Sequence, residues 1–202
     1  MKRIFGVLLL LISVSLPAQA SWQSAATEVE KSIEQMLEKV VPYRGQVDAD
    51  LEPLYEQLAA VTAGNVDYPY LSKIVMGKHY RRASDQEKAL FLTAFTRTLV
   101  KTYGKTLVSF DIKGYKLQKN RTESPKPNKQ KVIVNVTSAG GKSYSLINYM
   151  VQKDGKWKLV NIVLDGFNLR VTFKNQFSKM VQQSKGDIGA AITKWSKVMS
   201  KK

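Results

Sequence analysis

Apolar positions along this chain follow two rhythms, one of three to four residues over the first half and one of two over the second. Trp22, Ala26, Val29, Ile33, Met36, Leu37 and Val40 recur at helical spacing until Pro42 stops the run. Leu51, Leu54, Leu58 and Val61 repeat the pattern up to Gly64 and Asn65. A third stretch, Tyr70 to Tyr80, carries Leu71, Ile74 and Val75 ahead of Gly77. Ser84 followed by Glu87 is the signature of a capping box, in which each residue satisfies an orphan N–H of the other. Behind it Phe91, Phe95, Leu99 and Tyr103 form one stripe at i+4, and Gly104 is expected to end the helix.

Beyond Gly104 the period becomes two. Val108, Phe110 and Ile112 alternate with polar neighbours, and Val132, Val134 and Val136 alternate with Ile133, Asn135 and Thr137. Ile147, Tyr149 and Val151, then Val160, Ile162 and Leu164, complete the set. These segments predict an antiparallel sheet of about four strands. Its links are a long polar stretch, Lys119 to Lys131, and tight turns at Ala139-Gly140-Gly141 and Asp154-Gly155. Two helical pieces follow, from about Leu169 to Ser184 and from Asp187 to Ser200. Helices, a strand meander and helices again make an α+β domain. The alternate positions Leu146, Met150, Leu159 and Val163 are apolar too, so the sheet carries more apolar surface than one solvated face allows. Two explanations stand at this point: a sheet packed on both sides, or a cavity between the Phe91–Tyr103 helix and the sheet.

The first twenty residues are of another kind. Lys2 and Arg3 precede an apolar run from Ile4 to Leu16, and Ala18 and Ala20 stand at the −3 and −1 positions of a cleavage site. This is the pattern of a secretory signal peptide, 1–20. A run of about 13 residues is too short for a hydrocarbon core that needs about 20. Export would leave a single domain over 21–202. It also reinterprets the charge. Without Lys2 and Arg3 the chain holds 30 basic and 16 acidic residues, a net charge of +14. In a cytoplasmic protein that balance points to nucleic acid; in an exported one it points to anionic head groups, acidic proteins or glycans, or to a merely solubilising surface.

Catalytic chemistry is sparse. His79 is the single histidine, there is no cysteine and no serine stands in a nucleophile-elbow context, so neither a triad nor a His/Cys metal site is indicated. Asp67, Asp111 and Asp165 are isolated carboxylates. One of them beside aromatic rings suits a general base, although turn and strand-end roles are commoner.

Three stretches stand out together: Val75-Met76-Gly77-Lys78-His79-Tyr80-Arg81-Arg82-Ala83-Ser84 followed by Phe91, Phe95 and Thr102-Tyr103; Trp157-Lys158-Leu159 through Asp165-Gly166-Phe167-Asn168-Leu169; and Phe173-Lys174-Asn175-Gln176-Phe177. In order and spacing they resemble three stretches of the MlaC, or toluene-tolerance, family of periplasmic phospholipid shuttles. Asn161, Asp165, Phe173 and Lys174 depart from the residues usual there (Asp, Glu, Tyr and Arg), and Lys174 keeps the charge of an arginine without its bidentate geometry.

The resemblance implies an NTF2-like curved sheet with added helices around an apolar cavity for acyl chains. It implies a monomeric carrier, without cofactor, metal, nucleic acid or catalysis, that maintains outer-membrane lipid asymmetry. Its partners would be an outer-membrane lipoprotein–porin complex and an inner-membrane ABC transporter bearing an MCE-domain ring. On that reading the cavity wall comprises Phe91, Phe95, Leu99 and Tyr103, with Val134, Val136, Ile147, Tyr149, Val160, Ile162 and Leu164 from the more apolar strand faces. Phe173 and Phe177 would close the mouth, and Lys78, Arg81, Arg82 and Lys174 would meet a head group or a partner. The Tyr70–Tyr80 helix, with few large apolar residues, is the expected gate. A pocket enzyme of the same fold, with Asp165 or Asp111 as base, and a basic exported adaptor are the competing classes.

Overall fold

The structure, a computed structural model, describes residues 21–46, 50–110, 112–122 and 124–199. The proposed signal peptide and Asp111 lie outside the described residues.

Four helices come first: α1 (Trp22–Val40), α2 (Glu52–Ala63), α3 (Tyr68–Met76) and α4 (Asp85–Ser109). Strands β1 (Ile112–Lys119), β2 (Lys129–Ser138), β3 (Ser143–Lys153), β4 (Lys156–Leu164) and β5 (Phe167–Asn168) form one antiparallel sheet in sequence order. Helices α5 (Leu169–Gln183) and α6 (Ile188–Met199) close the chain. The α+β reading therefore holds, with a short fifth strand beyond the four expected. Among the described residues no helix is long and apolar enough to cross a membrane.

Local chemistry sets the boundaries. The Ser84–Glu87 capping box forms as expected, and Ser21 and Ser24 build another at the start of α1. Gly77, at φ +56°, ends α3 at Met76, four residues earlier than the periodicity suggests, and starts a 3-10 turn, Gly77–Arg81. Gly104 does not stop α4. Its φ and ψ stay helical, and its missing side chain is used for approach instead: a Cβ there would lie 2.9 Å from Leu58 Cδ1 and 3.0 Å from the Tyr55 ring. Helix α2 thus sits against the backbone of α4, which runs on through Val108 to Ser109. The first strand consequently starts at Ile112, not Val108, and presents Tyr115 and Leu117.

The core forms in three separate clusters rather than one. In the first, Phe91, Phe95, Phe173 and Phe177 surround Trp195, with neighbouring ring centroids between 4.4 and 6.1 Å apart. The Trp195 indole donates to Thr98 Oγ1 at 3.1 Å. Leu71, Val75 and Met76 of α3 are buried in the same cluster, so α3 is a core helix and not the loosely held element expected of it. In the second, Ala25, Ala26 and Val29 of α1 cover Val132, Val134, Met150 and Trp157 on the sheet. In the third, α2 packs between the end of α1 and the middle of α4. Helix α4 packs on α1, α2, α3 and α6, yet on no strand to a comparable degree.

Candidate functional site

Register decides which side chains share a face. Val134 pairs with Leu146 and Leu117, Val136 with Tyr144 and Tyr115, and Leu146 with Leu164. Residues paired across strands project to the same side, so Val132, Val134, Val136, Leu146, Met150, Ile162 and Leu164 lie on one face. Ile147 and Tyr149 pair with Ile133 and Lys131 and lie on the other. A bulge between Tyr149 and Met150 lets Met150 oppose Leu159, which leaves Val160 as the extra residue of β4. The seven sheet residues expected to form one wall are therefore split: Val134, Val136, Ile162 and Leu164 stay together, Ile147 and Tyr149 oppose them, and Val160 sits in the bulge. Leu146, Met150 and Leu159, read as the alternate face, join the Val134 face, whereas Val163 does not.

This apolar face is covered along only part of its length. At the end held by α1, Val132, Val134, Met150 and Trp157 are buried, and indole N–H groups tie the layers together, Trp157 to Ser24 Oγ at 3.0 Å and Trp22 to the Lys131 carbonyl at 3.1 Å. Toward the other end Tyr115, Val136, Leu146, Ile162 and Leu164 remain half-buried. There Phe110, at the end of α4, meets Tyr144 edge to face at 4.7 Å, which brings α4 over the uncovered stretch. Leu99, Tyr103 and Leu107 of α4 and Ile33 and Met36 of α1 are half-buried too; Leu99 packs against the Trp195 cluster, Ile33 against the α1–sheet cluster, and Met36 and Leu107 against the α2 cluster. Tyr103 is the polar exception. It has no hydrogen-bond partner among the described residues, and desolvation alone pushes its phenol far above the ordinary range. The half-buried stretch of the sheet face between the part that α1 covers and Phe110 is the candidate recess.

The remaining expected site residues fall elsewhere. Phe91, Phe95, Phe173 and Phe177 occupy the aromatic cluster around Trp195. Lys78, Arg81 and Arg82 are exposed on the 3-10 turn before α4, and Lys174 joins them from α5, its Cε lying 3.0 Å from where a Cβ of Gly77 would stand. Asp165 is a turn residue: its carboxylate accepts the Ser145 N–H at 2.7 Å, and its own N–H donates to the Ser145 carbonyl at 2.9 Å. Tyr115 and Leu146 lie on the uncovered stretch and were absent from the expected wall. The apolar surplus on alternate strand positions was the available signal for Leu146, while the unforeseen length of α4 hid β1.

The architecture has known counterparts. The family model of the MlaC protein matches residues 30–197. The chain belongs to the MlaC family. Toluene tolerance protein ttg2D of Pseudomonas putida is 24% identical over 197 residues, 97% of this chain and 90% of that protein. The phospholipid-binding protein from Ralstonia solanacearum, solved in complex with a phospholipid, superposes with a TM-score of 0.75 at 18% identity, over 88% of this chain and 97% of the other. At that identity the likeness establishes a common fold, so the MlaC assignment and the half-covered apolar face rest on separate grounds.

Proposed function

We propose that this chain is a periplasmic phospholipid carrier that shields acyl chains between α4 and the uncovered half of the apolar sheet face. The observation that carries the reading is that half-face itself. Val136, Leu146, Ile162 and Leu164 form a half-buried apolar surface on one sheet face, beyond the part that α1 buries, with Phe110 after α4 against Tyr144 at its edge. Apolar surface left unburied in a folded domain forfeits stabilisation, and two acyl tails would recover it. Those tails hold about 30 methylenes, which at about 0.8 kcal/mol each makes unshielded passage through water cost roughly 24 kcal/mol. A soluble carrier supplies the missing solvent. The Tyr103 hydroxyl offers a donor to a lipid ester carbonyl inside the recess.

The MlaC family and the phospholipid complex of the Ralstonia protein support this reading. Transfer between an outer-membrane lipoprotein–porin complex and an inner-membrane ABC transporter with an MCE-domain ring is its wider setting, reached after cleavage behind Ala20. Lipid extraction and native mass spectrometry of protein purified from a periplasmic fraction test it. The expected result is co-purified phospholipid, retained by wild type and lost in large part from a Leu146→Gln/Ile162→Gln double variant that still melts cooperatively. Protein free of lipid, or a double variant that keeps its full lipid complement, would refute the carrier or the wall respectively.

A further inference from the structure

Phe167 is the most exposed large apolar side chain of the described residues, 73% accessible, and it is held there firmly. Asp165 and Gly166, at φ +44° and +84°, form a tight turn with both central residues in the left-handed region, the geometry that matches strand twist in a hairpin. The two Asp165–Ser145 hydrogen bonds pin that turn to β3, and Phe167 pairs with Leu164 at the sheet edge. The ring is thus displayed by rigid backbone. Val171, 46% exposed, follows in the first turn of α5.

The same end of the sheet is basic. The register brings the start of β1, with Lys113, and the β2–β3 turn, with Lys142, to the rim where Ser145 meets Asp165. Both lysines are exposed, as is Lys174 one turn beyond Val171, and none makes an ion pair among the described residues. Among the described residues Asp165 is an acidic member of this rim, and its carboxylate is already engaged by the Ser145 N–H.

We infer that this rim is a docking tip for an anionic lipid bilayer, with Phe167 and Val171 entering the interface and Lys113, Lys142 and Lys174 meeting the head groups. Two apolar side chains are far too little for a specific protein interface, which needs on the order of 1,000 Å² in all. They suffice for a shallow, reversible membrane contact when cations add about 1 kcal/mol each near an anionic surface. The tip adjoins Leu164, so docking would bring the open end of the apolar face to the bilayer. In this respect the inference extends the carrier reading, but the contact itself stands without it.

Co-flotation with vesicles tests the tip, using phosphatidylcholine alone and phosphatidylcholine mixed with phosphatidylglycerol, while extracted lipid is measured in parallel. Wild type should float with the anionic vesicles only. Phe167→Asp should weaken that binding about tenfold, in line with losing much of a buried aromatic's transfer energy, with its co-purified lipid unchanged. Lys113→Gln/Lys142→Gln should weaken it comparably, and Val41→Asp, at an exposed apolar residue on another surface, should not. Phe167→Trp provides a readout independent of affinity: brominated anionic lipid should quench its emission beyond that of wild type. Wild type that ignores anionic vesicles, Phe167→Asp that binds them normally, or Phe167→Trp without added quenching would each overturn the docking tip. Lost lipid content with intact vesicle binding would instead count against the carrier reading alone.

Discussion

At the scale of single residues, His79 is placed against its own chemistry. It is 5% exposed in the 3-10 turn between α3 and α4, its ring edge-on to Phe177, and neither nitrogen has a hydrogen-bond partner among the described residues. Burial, and then the positive charges of Lys78 and Arg82, hold its pKa below the ordinary value of 6.5. The folded protein therefore keeps the imidazole neutral where the unfolded chain already takes up a proton. Stability from this site is complete above the unfolded pKa and declines as pH falls from there toward the folded one. Urea unfolding midpoints should accordingly drop between about pH 7.5 and pH 5. His79→Phe, which keeps an aromatic ring against Phe177, should remove this component and flatten the profile. An equal drop in both proteins would place the acid sensitivity elsewhere.

Elements show where close approach replaces propensity. Gly104 costs α4 about 1 kcal/mol in helix propensity, yet its position admits Leu58 and the Tyr55 ring at 2.9 and 3.0 Å from the site of a Cβ. Gly104→Val should destabilise the fold by about 1–3 kcal/mol through overpacking. Gly64 ends α2 at φ −75° with nothing within 4 Å of a Cβ, so Gly64→Ala should be neutral or stabilise by up to about 1 kcal/mol. Thermal unfolding of the two variants checks the pair, and equal shifts would refute the contact argument. Gly104 also marks the limit of what periodicity conveys. The Ser84 cap and the alternating strands are local signals, and both were legible. A glycine that stops a helix and a glycine that admits a neighbouring helix have the same sequence appearance, and only the position of α2 separates them. Strand faces were ambiguous for a related reason. Both sides of β3 are apolar, and the β4 bulge shifts the alternation by one residue, so cross-strand pairing was needed to group Leu146 with Val134. The aromatic stripe, expected as a cavity wall, is covered at Phe91 and Phe95 by Trp195, which arrives from the far end of the chain.

The whole molecule combines two kinds of attraction that respond differently to salt. The net charge, +16 for the whole sequence and +14 for residues 21–202 alone, draws the protein toward anionic surfaces over a distance set by the ionic atmosphere. That distance shrinks from about 10 Å at 0.1 M salt to about 3 Å at 1 M. Contact between the apolar half-face and acyl tails depends on area removed from water, which salt of this concentration does not weaken. Protein carrying lipid and titrated with sodium chloride should therefore leave anionic vesicles while keeping its tails. Flotation reports the first quantity and mass spectrometry of the released protein the second. Both falling together with rising salt would mean that the ligand is held by its head group, through cations such as Lys78, Arg81, Arg82 and Lys174, and not by the recess under α4. Vesicle binding that survives 1 M salt would mean that apolar insertion carries the membrane contact without help from the lysines.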